Sequence, residues 1–381
     1  MRPYVSIALL LIALPVHADR TADWREDISA LLAELNRVHP KFSACGLPPE
    51  IRTRAASLGD RVATMKDEAI AVEIQHILAL AGDGHTLVWP FGMQKMPLTL
   101  WWFDDGVYVV GGEHARRRVT HIGGVPVEEV FRRLEPFLSH DNDMQFRWAA
   151  PFYATMPAFL AAAGVEPVFT FEDGGKVAPK GEPIDPDKVE LKLIPPSRHG
   201  ETFRLEQIGP GVLYIAVNSM SAGARDFAVK VREQLGKFDR AILDLRLNNG
   251  GDAANADELL KTFIAFDVRG GRSVTLISRM TFSAAETFAA RLDQWTGTVF
   301  IGEATGSRPN HYGNEHPFRL PHSGLRGSIS SGWNQPVSPR DDRDAIRPDI
   351  AVPQTARDFF SGTDRTLETA LKQLIVQPSP R

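Results

Sequence analysis

The chain is predicted to be an α/β protein with a parallel-dominated sheet in its carboxyl-terminal half, and three stretches point there. Ala241-Ile-Leu-Asp-Leu-Arg246 is an apolar run suited to a strand covered on both faces; Asn248-Asn249-Gly250-Gly251 then turns the chain before a helical pattern from Asp257 to Phe266. Arg272-Ser-Val-Thr-Leu-Ile277 repeats the arrangement, leading through Ser283 into a second helix. Val212-Leu-Tyr-Ile-Ala-Val217 opens the series, with a helix from about Ala224 to Leu235, and Thr298-Val-Phe-Ile301 continues it. In such a sheet the loops at the carboxyl ends of neighbouring strands meet, so Gly250, Gly251 and Ser283 are expected in one crevice.

The order of elements begins with Arg2, an apolar segment from Val5 to Val16 and the small-x-small pattern Val16-His17-Ala18. This reads as a signal peptide over residues 1–18, cleaved near Asp19, and it implies a periplasmic or secreted protein. No later run is long and apolar enough to span a bilayer, so no membrane association is expected after cleavage. Residues 19–95 read as a helical domain. Asp23-x-x-Glu26 has the spacing of a helix start, and Ile28, Leu31, Leu32, Leu35 and Val38 follow at helical spacing. Ile51 to Met65 and Ile70 to Leu80 give two more helices, the last ending at Gly82 and releasing His85 into a loop. The single cysteine, Cys45, offers no intramolecular disulfide and is expected to be buried.

Residues 96–196 change to short β-type runs, Leu98 to Phe103, Gly106 to Val110 and Arg118 to Val127, followed by a helical Val127 to Leu134. Asp173-Gly-Gly-Lys176 is a hairpin turn, and 179–186 a connecting loop. Residues 197–381 hold the parallel core, and within it 310–339, rich in Gly, Ser, His and Pro, is expected to form loops around the crevice. The sequence is 43% hydrophobic and 24% charged with a net charge of −4, which gives no electrostatic case for nucleic acid. His311, His316 and His322 lack accompanying carboxylate or cysteine ligands at metal-binding spacing, so neither a metal nor a cofactor is expected.

Ser283 carries two readings. At a strand-to-helix junction its hydroxyl lies at the positive end of a helix dipole, a good address for a nucleophile. Ser283-x-x-Glu286 also has the spacing of a capping box, in which the two side chains satisfy orphan backbone amides. Gly250 and Gly251, without side chains, would let amides approach a reacting carbonyl oxygen, or would simply turn the chain.

Asp244-Leu-Arg-x-Asn-x-Gly-Gly251, Thr281-x-Ser283-Ala-x-Glu286-x-Phe-Ala289, Gly302-Glu-x-Thr305-Gly306 and Pro348-Asp-Ile-x-Val352 stand in the order of the signatures of the carboxyl-terminal processing peptidases. The sequence resembles that family, which includes tail-specific proteases, the tricorn core peptidase and the retinoid-binding repeats of the interphotoreceptor matrix. The likeness is good over roughly 201–381 and looser elsewhere. It implies a ClpP- and crotonase-like spiral of β-β-α units for the core. It also implies a PDZ-like middle domain, since Ile122-Gly-Gly-Val-Pro-Val127 is similar to a PDZ segment, although the aromatic insertion 140–164 has no place in a minimal PDZ fold.

The same resemblance implies a serine peptidase acting on peptide or protein substrates. Ser283 would be the nucleophile, His85 the base as in tricorn-type members, and Gly250 or Gly251 with Ala284 the oxyanion donors; Glu286 would fix the helix start and the polar site around it. Arg308 stands where tail-specific members have a lysine base, and arginine does not give up its proton. Gly84 occupies the place of the serine that orients the tricorn histidine, and Asp341 or Asp342 the place of a further glutamate. The alternative is a catalytically decayed binding protein for a hydrophobic ligand or peptide on the same fold, or a peptide-binding scaffold.

Overall fold

A computed structural model describes residues 19–184 and 201–376; the leader expected at 1–18 lies outside them. The carboxyl-terminal core is a six-stranded sheet in the order Phe203–Gln207, Val212–Val217, Arg240–Asp244, Arg272–Ile277, Val299–Gly302, Ile350–Ala351. The first pair is antiparallel and every later pair parallel, as the apolar runs predict. The strand Val212–Val217 is buried along its whole length, and its alternation shows how. Leu213, Ile215 and Val217 pack with Phe227, Val231, Phe263 and Phe288 from helices Gly223–Leu235, Asp257–Val268 and Ala284–Trp295. Val212, Tyr214 and Ala216 face Leu367, Ala370 and Leu374 of helix Arg365–Val376. Each such side chain contributes about 1.5–3 kcal/mol by leaving water, which is what holds the three layers together.

The amino-terminal region is helical, with Arg20–Val38, Pro40–Cys45, Pro49–Arg61 and Asp67–Ala79. The first helix starts earlier than Asp23-x-x-Glu26 suggests, because the Asp19 side chain accepts from the amides of Thr21 and Ala22 and is the cap. Cys45 is exposed and not buried, since it ends a short helix in which only Phe42 turns inward.

Residues 310–339 correct the expectation of loops. They hold a long antiparallel hairpin, His311–Arg319 with Arg326–Asn334, and Leu87–Val88 pairs with the second strand. Phe318, Leu320 and Ile329 reach into the helical bundle among Leu31, Leu35 and Ile74. The hairpin therefore splints the segment just after His85.

The middle sheet runs Thr99–Phe103, Gly106–Gly111, Arg118–Ile122, Phe169–Phe171, Lys176–Val177, with Val125–Pro126 also on the third strand. The helix Val127–Leu134 falls where expected, and the insertion 140–164 forms helices Asp143–Tyr153 and Pro157–Ala162. This sheet is bolted to the core. Arg279 is fully buried, pairs with Glu303 and donates to the Trp102 carbonyl at 2.7 Å, while Trp101 Nε1 donates to Gln354 Oε1 at 2.7 Å.

Candidate active site

The two loops expected to meet are stitched together. Thr281 Oγ1 donates to the Leu245 carbonyl at 3.0 Å, Ser278 Oγ to that of Arg246 at 2.7 Å, and the Phe282 amide to that of Asn248 at 3.1 Å. Asn248 is wholly buried and anchors the crossing further, donating from Nδ2 to the Val217 carbonyl at 2.9 Å. Ser283 follows at φ 57°, ψ −121°, a backbone state that a non-glycine residue holds only at a cost of about 1–3 kcal/mol. Gly250 is what admits it: a Cβ there would lie 2.8 Å from the Ser283 Cβ. The serine is half-buried, so solvent reaches it.

The capping reading does not hold in this geometry. Ser283 makes no side-chain cap bond, and neither carboxyl oxygen of Glu286 has a hydrogen-bond partner, so Glu286 does not fix the helix start. Positive φ turns the hydroxyl away from the helix amides that a cap would engage. Burial pushes the Glu286 carboxyl well above the usual range, with the nearby Thr305 hydroxyl opposing and the Asp141 charge adding to the rise. Burial inside the core thus disfavours its charged form. A raised folded-state value means stability present at low pH and lost as pH rises past the unfolded carboxylate value. The melting temperature of Glu286→Gln relative to wild type is therefore expected to rise as pH climbs past the unfolded carboxylate value. A constant difference in differential scanning fluorimetry would show that this carboxyl is not the titrating group.

His85 comes from the other end of the chain. Its Nε2 lies 2.9 Å from Ser283 Oγ, and the ring is buried, stacked on Phe282 with centroids 4.5 Å apart and nearly parallel to His311 at 5.8 Å. Its amide donates to Asp83 Oδ1 at 2.9 Å, and its carbonyl accepts from Ser328 Oγ at 2.8 Å, a residue of the hairpin. Nδ1 is buried without a hydrogen-bond partner, and the Tyr312 main chain favours the charged ring. Burial pushes the imidazole below its ordinary pKa, and Asp141 pulls it back most, followed by Asp83, with His311 pushing down. A Cβ at Gly84 would press on the Gln145 carboxamide, so an orienting serine there would require that side chain to move.

Of the expected oxyanion donors, Gly250 is engaged: its amide donates to Asn248 Oδ1 at 3.0 Å. The amides of Gly251 and Ala284 have no protein acceptor among the described residues. Arg308 is exposed and donates through Nε to the Asp141 carbonyl at 2.9 Å. Asp341 is turned to Arg343, which holds its carboxyl below the usual range, and Asp342 is exposed, so neither is bonded to His85.

His311 bonds the Arg308 carbonyl, His316 bonds Glu34 and His322 bonds Glu26; among the described residues no group of three His, Cys, Asp or Glu gathers to hold a metal. A cavity of about 680 Å³ lined by Trp24, Trp89, Phe91, His322 and Arg326 contains none of the site residues. Sequence reading gave Asn248 a place in a motif but no contact, and it missed Asp83 and Asp141, neither of which stands in a local pattern that announces its contacts.

No family model matches the sequence, and no curated protein matches it. Solved structures do. Mature CPAF complexed with lactacystin is 14% identical with a TM-score of 0.64, over 94% of this chain and 98% of that one. Mature CPAF alone gives 14% identity and a TM-score of 0.62, over 94% and 97%. A photosystem II D1 C-terminal processing protease also matches, at 12% identity over 88% of this chain and 93% of that one, but its TM-score of 0.43 is too low to bear on the site. At these identities the likeness is one of fold, and the fold agrees with the order of the motifs.

Proposed function

We propose that the chain is an exported serine peptidase of the carboxyl-terminal processing or tricorn type, hydrolysing peptide bonds with Ser283 as nucleophile and His85 as base. The observation that carries this reading is the 2.9 Å contact between His85 Nε2 and Ser283 Oγ, made to a serine held at positive φ at a helix start. Ser283 Oγ attacks the peptide carbonyl carbon while His85 Nε2 takes its proton. The oxyanion that forms is received by the amides of Gly251 and Ala284. His85 then returns the proton to the leaving amine, and water, deprotonated by the same imidazole, hydrolyses the acyl-enzyme. Glu286 bonds none of the reacting atoms; it is a buried carboxyl in the first turn of the serine helix.

The core is read as a ClpP-like spiral and the middle sheet as PDZ-like, with the substrate an extended peptide. Export is supported by the leader pattern ahead of Asp19. Intact mass of periplasmic or secreted protein should begin near Asp19, and a chain still carrying Met1 would refute export. The activity is tested with a fluorophosphonate probe followed by peptide mapping: the adduct is expected on Ser283. An unlabelled, folded protein would favour the decayed binding protein instead.

A further inference from the structure

Segments far apart in sequence meet beside the imidazole, and one carboxylate is bonded to two of them. Asp141, only 4% exposed, accepts from the Gly84 amide through Oδ1 at 2.9 Å and from the Ser307 hydroxyl through Oδ2 at 2.5 Å. Its own amide donates to Gln145 Oε1 at 2.7 Å, and its carbonyl accepts from Arg308 Nε at 2.9 Å. Asn142 extends the hold, donating through Nδ2 to the carbonyls of Thr305, Ser307 and Asp344 at 3.1, 3.3 and 2.7 Å. The histidine turn and the turn after strand Val299–Gly302 are thus fastened to one dipeptide at the start of helix Asp143–Tyr153.

We infer that Asp141 is the positioning residue of the site, docking the histidine turn onto the serine-bearing core and setting a negative charge against the imidazolium that forms in catalysis. The inference rests on the serine–histidine reading. The imidazole has no bond at Nδ1 to orient it, so its placing falls to the main chain around Gly84 and His85 and to the stack on Phe282. The titratable groups that act on the ring are Asp141, Asp83 and His311. Asp83 shares its carboxylate with His39 and Ser330, whereas Asp141 is bonded only by a neutral N–H and a neutral O–H, which leaves its charge to act on the imidazole. Of the two carboxylates it favours the charged ring more.

Asp141→Asn keeps the shape and an acceptor for Gly84 while removing the charge. His85 in this variant is expected to titrate at lower pH than in wild type, followed by NMR of the ring Cε1–H. The acid limb of kcat/KM should move the same way, and kcat should fall roughly tenfold to a hundredfold. An unchanged His85 titration overturns the inference. Should Asp141→Asn fail to fold, Ser307→Ala takes its place: it strips a hydroxyl from the carboxylate, so His85 should titrate higher, and an unchanged or lower value overturns the inference. The NMR titration needs no turnover. A protein that cleaves no peptide and takes no fluorophosphonate refutes the proposed function alone, and an unmoved His85 in an active enzyme refutes this inference alone.

Discussion

Ser283→Ala is expected to lower peptide hydrolysis by about a thousandfold or more and to abolish fluorophosphonate labelling, while the melting temperature hardly moves. The separation follows from the geometry. A serine serving as a helix cap would cost about 0.5–2 kcal/mol on removal, but Ser283 makes no cap bond. Alanine at the same positive φ carries the same backbone strain, so only the hydroxyl contact to His85 is lost, worth about 0.5–1.5 kcal/mol. A variant that melts far lower and hydrolyses peptides at the wild-type rate would place the chemistry elsewhere.

His85→Ala should abolish most of kcat, whereas Arg308→Ala should retain it. Arg308 is exposed and bonded to a backbone carbonyl, so its loss loosens a turn without removing a proton acceptor. The pH profile separates the bases. A base works in its neutral form, so the rate rises with pH through the histidine value. Burial holds that value below the ordinary 6.5, and the acid limb of kcat/KM is expected below that figure. A limb well above it would point to an amine base. Full activity in His85→Ala together with its loss in Arg308→Ala would sink the serine–histidine mechanism.

The parallel core was legible because strands buried on both faces are written as unbroken apolar runs, and Arg240–Asp244 and Arg272–Ile277 fall within a residue or two of where those runs lie. The hairpin His311–Asn334 was not legible. Its buried positions include Ser328 and Ser330, whose hydroxyls bond the His85 carbonyl and Asp83, so polarity there marks contact and not exposure. Ser283 and His85, singled out by their motifs, lie 2.9 Å apart. Gly250 entered as one of two candidate donors, since a glycine's spacing does not say whether its amide is free or, as here, taken by Asn248. Asp141 left no trace because its role exists only in contacts across 57 and 166 residues.

The pairing of His85 with Ser283 spans 198 residues, and the histidine's own carbonyl is held from Ser328, later still. A chain emerging from the ribosome therefore cannot bring these side chains together until nearly all of it has been made and folded, because closing so long a loop pays off only when the core and hairpin are in place. The order of the residues along the chain is its own safety catch.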